Sequence, residues 1–128
     1  MSQKVKKEHF DKYQTEIDRF TKLFGLSDWD YRIAWVESDE CGGYLSWTKF
    51  NTETRKATFY FPKVWPSDYE ITDKEIVRSA FHEVCELLLC DLRYIAGERF
   101  IREEDEINKH IHILISRLQF FVENFGII

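Results

Sequence analysis

Between Lys4 and Phe24 the apolar residues Phe10, Tyr13, Ile17, Phe20 and Phe24 follow one another at steps of three and four. That spacing puts them on one stripe of a helix, and Gly25 supplies a natural stop. The pattern then changes. The stretches YRIAWVESD, YLSWTKF and KATFYFPKV are rich in aromatic and β-branched residues, with Glu40-Cys41-Gly42-Gly43 and Asn51-Thr52-Glu53-Thr54 between them. Short polar or glycine-rich connectors between such runs predict a three-stranded antiparallel meander. Pro62 and Pro66 close the block.

Helical spacing returns afterwards. Thr72-Asp73-Lys74-Glu75 has the form of a capping box, and the helix it opens is expected to run through Ile95, with Gly97 beyond it. A last helix is expected from Arg102 to Phe125, with Ile107, Ile111, Leu114, Leu118, Phe121 and Phe125 along its buried side. Its first turn is crowded with Glu103, Glu104, Asp105 and Glu106, where the helix dipole favours negative charge. The order of an N-terminal helix, three strands and two long helices is α+β.

Composition fits one domain spanning residues 1–128, long enough for a single core. Aromatics make up 16% of the chain, so Phe, Tyr and Trp should dominate that core. With 18 basic and 23 acidic residues the formal charge is −5, which argues against a nucleic-acid partner. The sequence shows no apolar run of membrane-spanning length and no apolar stretch near its start, so a cytoplasmic protein without a membrane partner is expected. Cys41, Cys85 and Cys90 form no CxxC pair and are expected to be reduced thiols.

One stretch carries candidate chemistry: SAFHEVCELLLCDL, residues 79–92. On a helical wheel His82, Glu83 and Glu86 share a polar face about 140° wide. An ordinary amphipathic helix would give the same wheel. Spacing adds something to it, because residues at i and i+4 project close enough together to share a metal ion. Glu83 would then stand beside the ion as a general base. Further ligand types lie on the last helix, where Glu103, Ile107, His110 and Leu114 follow at steps of four and three, on or beside the expected buried stripe. Cys90 lies eight residues after His82, about 12 Å along a helix, too far to share an ion with it. As a small half-buried thiol it reads as structural.

Taken in order, these pieces resemble a family. Phe24-Gly25-Leu26-Ser27-Asp28-Trp29, Arg55-Lys56-Ala57-Thr58-Phe59-Tyr60, Ala80-Phe81-His82-Glu83-Val84-Cys85-Glu86-Leu87-Leu88-Leu89 and Glu103-Glu104-Asp105-Glu106 are similar to successive segments of the small zincin-like metallopeptidases encoded in bacteriophage genomes. The resemblance implies a zincin-like fold, a host-cytoplasmic location and metal-dependent peptide hydrolysis. His82 and Glu83 match the family's His-Glu pair. At the second His of its His-Glu-x-x-His motif this chain has Glu86 instead.

The implied metal ligands are His82, Glu86 and a third residue from the last helix: Glu103 first, with Glu106 and His110 as alternatives. Glu83 is the implied catalytic base. One His with two carboxylates makes a weaker Lewis acid than a two-His set and shifts preference toward harder metals such as manganese, although zinc stays the first expected cofactor, ahead of manganese or none. Three outcomes follow: an altered but active peptidase, a structural metal site, or a metal-free descendant. The changed letter at the most informative position tilts the reading toward a lost site. A rival of another class is a non-enzymatic binding or inhibitory protein that acts on a host protein through its surface. For an active enzyme an extended peptide would pair with an exposed sheet edge. Tyr44, Trp47, Tyr60 and Trp65 read more readily as core than as a substrate platform.

Overall fold

The computed structural model describes residues 3–99, 104–124 and 126. In chain order these form β1 (Gln3–Lys4), α1 (Lys7–Leu23), β2 (Asp30–Val36), a 3-10 turn at Ser38–Cys41, β3 (Trp47–Asn51), β4 (Lys56–Pro62), β5 (Val64–Trp65), α2 (Asp73–Leu88), α3 (Cys90–Arg99) and α4 (Glu104–Asn124). The α+β class holds. Among the described residues no helix is long and apolar enough to cross a membrane.

The three expected strands form one sheet, but it is not a meander. Its order is β2-β4-β3. Strand β4 pairs in parallel with β2, from Asp30↔Lys56 to Val36↔Pro62, and antiparallel with β3, from Trp47↔Tyr60 to Asn51↔Lys56. The cause lies in the first connector. Ser38–Cys41 coil into a 3-10 turn, and Gly42 and Gly43 follow with φ of 62° and 80°, a region that glycine enters without a Cβ clash. Cys41 is fully buried and anchors this segment. Residues 37–46 therefore leave β2 beside Pro62 and re-enter beside Tyr60, on the other side of β4. The second connector is the expected hairpin. Asn51 Oδ1 accepts from the backbone N–H of Glu53 and Thr54 at 2.9 and 3.1 Å, and Arg55 takes a positive φ of 57°.

Alternation along β4 sends Ala57, Phe59 and Phe61 inward, while Lys56, Thr58 and Tyr60 face outward. Helices α1 and α2 cover the inner face. Tyr13 of α1 stacks on Phe61 at 4.3 Å between ring centroids, and Phe20 meets Phe81 of α2 edge-on at 5.3 Å. Ile17, Ile76, Ala80 and Val84 complete the buried centre. The N-terminal helix starts at Lys7 rather than Lys4, because Gln3–Lys4 pair with Val64–Trp65 and Val5 enters the core in extended form.

Two helical expectations also change. The single helix from Thr72 to Ile95 is two elements: α2 ends at Leu88, capped by Leu89, whose ψ of 4° departs from helical geometry, and α3 continues through Gly97. Leu87-Leu88-Leu89 spread over about 200° of a wheel, and a core on one side cannot take all three. So the two long helices expected after the sheet are three. In α4 the buried positions are Ile111, Ile115 and Val122, with Ile107 and Leu118 partly buried, whereas Leu114 is exposed. Relative to the expected stripe the helix is rotated by about 40°. The Arg102 start and Phe125 lie outside the described residues, as does the side chain of Phe121.

Candidate metal centre

Thr72 caps α2, its Oγ1 accepting from the N–H of Glu75 at 3.2 Å. The apolar side of α2 packs on α1 and the sheet, which leaves His82 and Glu86 on the opposite side, toward α4. There the third partner is His112. Nε2 of His112 lies 3.0 Å from Oε1 of Glu86, and Nε2 of His82 lies 3.5 Å from the same oxygen. The two imidazole centroids are 5.4 Å apart. One ligand atom from each residue falls within 4.8 Å of the others, the only such three-residue cluster among the described residues. Donors of a tetrahedral ion at bond lengths of about 2.0–2.1 Å are separated by roughly 3.3 Å, close to both distances at Glu86.

Glu86 is the hub. Its side chain is 14% exposed, and Nη1 of Arg93, on α3, donates to its Oε2 at 2.6 Å. Oε1 is closed to solvent and has no well-aligned hydrogen bond among the described residues, although both imidazole nitrogens face it at ion-pair distance. Burial by itself would raise the Glu86 pKa, but the neighbouring His82 and Arg93 more than offset it and hold the carboxylate at about 2. Glu86 in turn raises the pKa of His82 above the usual imidazole value, against the opposing effect of burial.

Glu83 points the other way, into the sheet. Thr48 Oγ1 donates to its Oε1 at 2.6 Å and Ser46 Oγ to its Oε2 at 3.1 Å. Burial raises its pKa, and those two hydroxyls restrain the rise. Beneath it the hydroxyl of Tyr13 is buried without a hydrogen bond among the described residues. Glu83 nevertheless shares a cavity of about 310 Å³ with His82, Glu86, Arg93, Asn108 and His112, walled on the sheet side by Tyr44, Ser46 and Trp47. Trp65 belongs to the core, as expected of these aromatics, but Tyr44 and Trp47 are exposed beside the cleft.

Only His110 of the expected third ligands has its side chain among the described residues, and it is not brought to Glu86. Glu103 lies outside the described residues, as does the side chain of Glu106. His110 is exposed and is not part of the cluster. The rotation of α4 is the reason. With Leu114 in the buried stripe, His110 would sit about 60° from its centre and His112 about 140° away; with Ile115 in its place both lie about 100° away, on opposite sides. The remaining signal in the sequence was the run Ile113-Leu114-Ile115, which fits either register. Burial pushes the thiols up, to about 12 for Cys85 and about 11 for Cys90, so neither is a ready thiolate ligand.

Two observations make the residues fit a cation: a buried carboxylate oxygen without a well-aligned hydrogen bond among the described residues, and two imidazoles facing it. The donor set of two nitrogens and one oxygen is common in zinc hydrolases. No protein-family model, curated protein or solved structure matches the chain.

Proposed function

We propose that this is a zincin-like protein whose metal ligands have changed places between helices. His82 and Glu86 come from α2, and His112 from α4. The observation that carries the reading is Oε1 of Glu86, enclosed, without a well-aligned hydrogen bond among the described residues, and faced by Nε2 of both histidines. In the family pattern the motif helix gives two histidines and the last helix is acidic. Here the motif helix gives a carboxylate and the last helix an imidazole, so the total stays at two nitrogens and one oxygen. The two-carboxylate argument for manganese therefore lapses, and zinc is the ion of choice. The same observation reverses the tilt toward a lost site.

A divalent ion so held supplies Lewis acidity and lowers the pKa of water that it binds. Glu83 is the residue to take up a proton: it borders the same cavity, its pKa is raised by burial, and each of its oxygens keeps a second lone pair free. Thr48 and Ser46 hold it in one orientation. Strand β3 is the sheet edge beside this cavity, and its outer row of backbone groups has no backbone partner among the described residues, which suits an extended peptide. Tyr44 and Trp47 flank that route.

A second reading has its own support. Both oxygens of Glu83 already accept hydrogen bonds from the sheet, which favours a metal-binding protein that acts on another protein through its surface without turnover. Elemental analysis after purification without chelator separates the possibilities. One zinc per chain is expected, with peptide hydrolysis lost in Glu83→Gln while the metal is kept. Metal without hydrolysis in the parent chain selects the second reading. If no metal is found, and added zinc or manganese leaves Tm unchanged, the metal centre is refuted.

A further inference from the structure

Arg93 sits at the join of α2 and α3 and holds Oε2 of Glu86 at 2.6 Å. A carboxylate as enclosed as Glu86 needs a positive partner, and a guanidinium provides one at every accessible pH. Because Arg93 takes Oε2, Oε1 is left turned toward the imidazoles. The ligands are thus assembled around a carboxylate whose charge is already matched. We infer that Arg93 is the resident counter-charge of Glu86, so that the centre is built before any ion arrives and holds its ion reversibly. This rests on the metal reading above.

The physical argument is one of competition. A cation at Oε1 and the guanidinium at Oε2 share one negative charge and repel each other. The cation gains less from Glu86 than it would from an unmatched carboxylate. In return the chain does not depend on metal to fold, unlike small domains whose ligands are uncompensated until an ion binds. Metal binding at such a centre follows the ion's availability.

Zinc titration by calorimetry, with melting measured in EDTA, tests this on the parent chain, Arg93→Met and Arg93→Lys. Arg93→Met is expected to melt lower in EDTA, to bind zinc about tenfold more tightly, and to recover its lost Tm when zinc is added. Arg93→Lys keeps the charge and should stay close to the parent in affinity. If Arg93→Met does not fold in EDTA, Arg93→Gln drops the charge while keeping a donor, and the same tightening is expected. A parent that binds zinc, with neutral variants that bind it equally or more weakly, overturns the inference and leaves Arg93 as an orienting group. Failure of every protein in the series to bind zinc refutes the metal reading, and the inference falls with it.

Discussion

Replacing Glu86 by Gln keeps the shape of the side chain and removes its charge, leaving Arg93 and the two imidazoles without their common partner. The carboxyl stands at about 2 in place of the ordinary 4.5, a difference that corresponds to about 3 kcal/mol of folding stability. Of the two partners that lower it, the His82 side chain is 37% exposed, so solvent screening reduces this to about 1–2 kcal/mol. The sign follows from the directions of the two shifts. Glu86 is depressed, so its contribution is complete above about 4.5 and fades as pH falls toward 2. His82 is raised by Glu86, so its share is complete below the unfolded imidazole value of about 6.5 and fades as pH rises through the folded one. The parent chain should therefore exceed Glu86→Gln in stability most between about pH 4.5 and 6.5, with the gap narrowing on either side. Urea unfolding in EDTA from pH 3.5 to 8 measures that gap. A constant difference across the range would mean that Glu86 matters only through packing, and a variant more stable throughout would defeat the charge argument.

The other expectations concern the ligand assignment and the core. His112→Ala should weaken zinc binding by more than the roughly 10–100-fold typical of an outer-shell partner, while His110→Ala should leave the calorimetric isotherm unchanged; equal losses would return the third ligand to open question. Phe81 is fully buried between Phe20 and Phe24, so Phe81→Ala should cost about 3–5 kcal/mol in chemical denaturation. A loss below about 1 kcal/mol would show that α1 and α2 do not meet there.

Much of the fold could be read from periodicity. Phe10, Tyr13, Ile17 and Phe20 mark α1, Thr72 marks the start of α2, and the Asn51 turn marks the β3–β4 hairpin. These signals are local, since each is decided within a few residues of backbone. The order of the sheet is different in kind. Nothing in Glu40-Cys41-Gly42-Gly43 distinguishes a hairpin from a crossing loop until Cys41 is seen buried against the rest of the protein. A parallel β2–β4 pair is a statement about residues more than twenty positions apart, and alternation along a strand is the same for either neighbour.

The site divides in the same way. His82, Glu83 and Glu86 were visible because i, i+1 and i+4 fix their directions on one helix. The third member of the cluster, His112, required the rotation of a second helix relative to the first. Ile113-Leu114-Ile115 lets two stripes compete, and choosing between them depends on which residue α2 and α3 bury. A shift of about 40°, less than half of one residue's turn, separates the expected register, in which His110 lies nearer the buried stripe, from the observed one, in which His112 faces Glu86. Judged alone, Glu86 is a substitution in a motif. On the proposed metal reading it is, with His112, one half of an exchange that keeps the donor set, because an ion responds to which atoms surround it and not to which helix carries them. The exchange also explains a cost that the substitution alone does not: a carboxylate on α2 beside His82 needs a counter-charge when no ion is bound, and Arg93 stands where it can supply one.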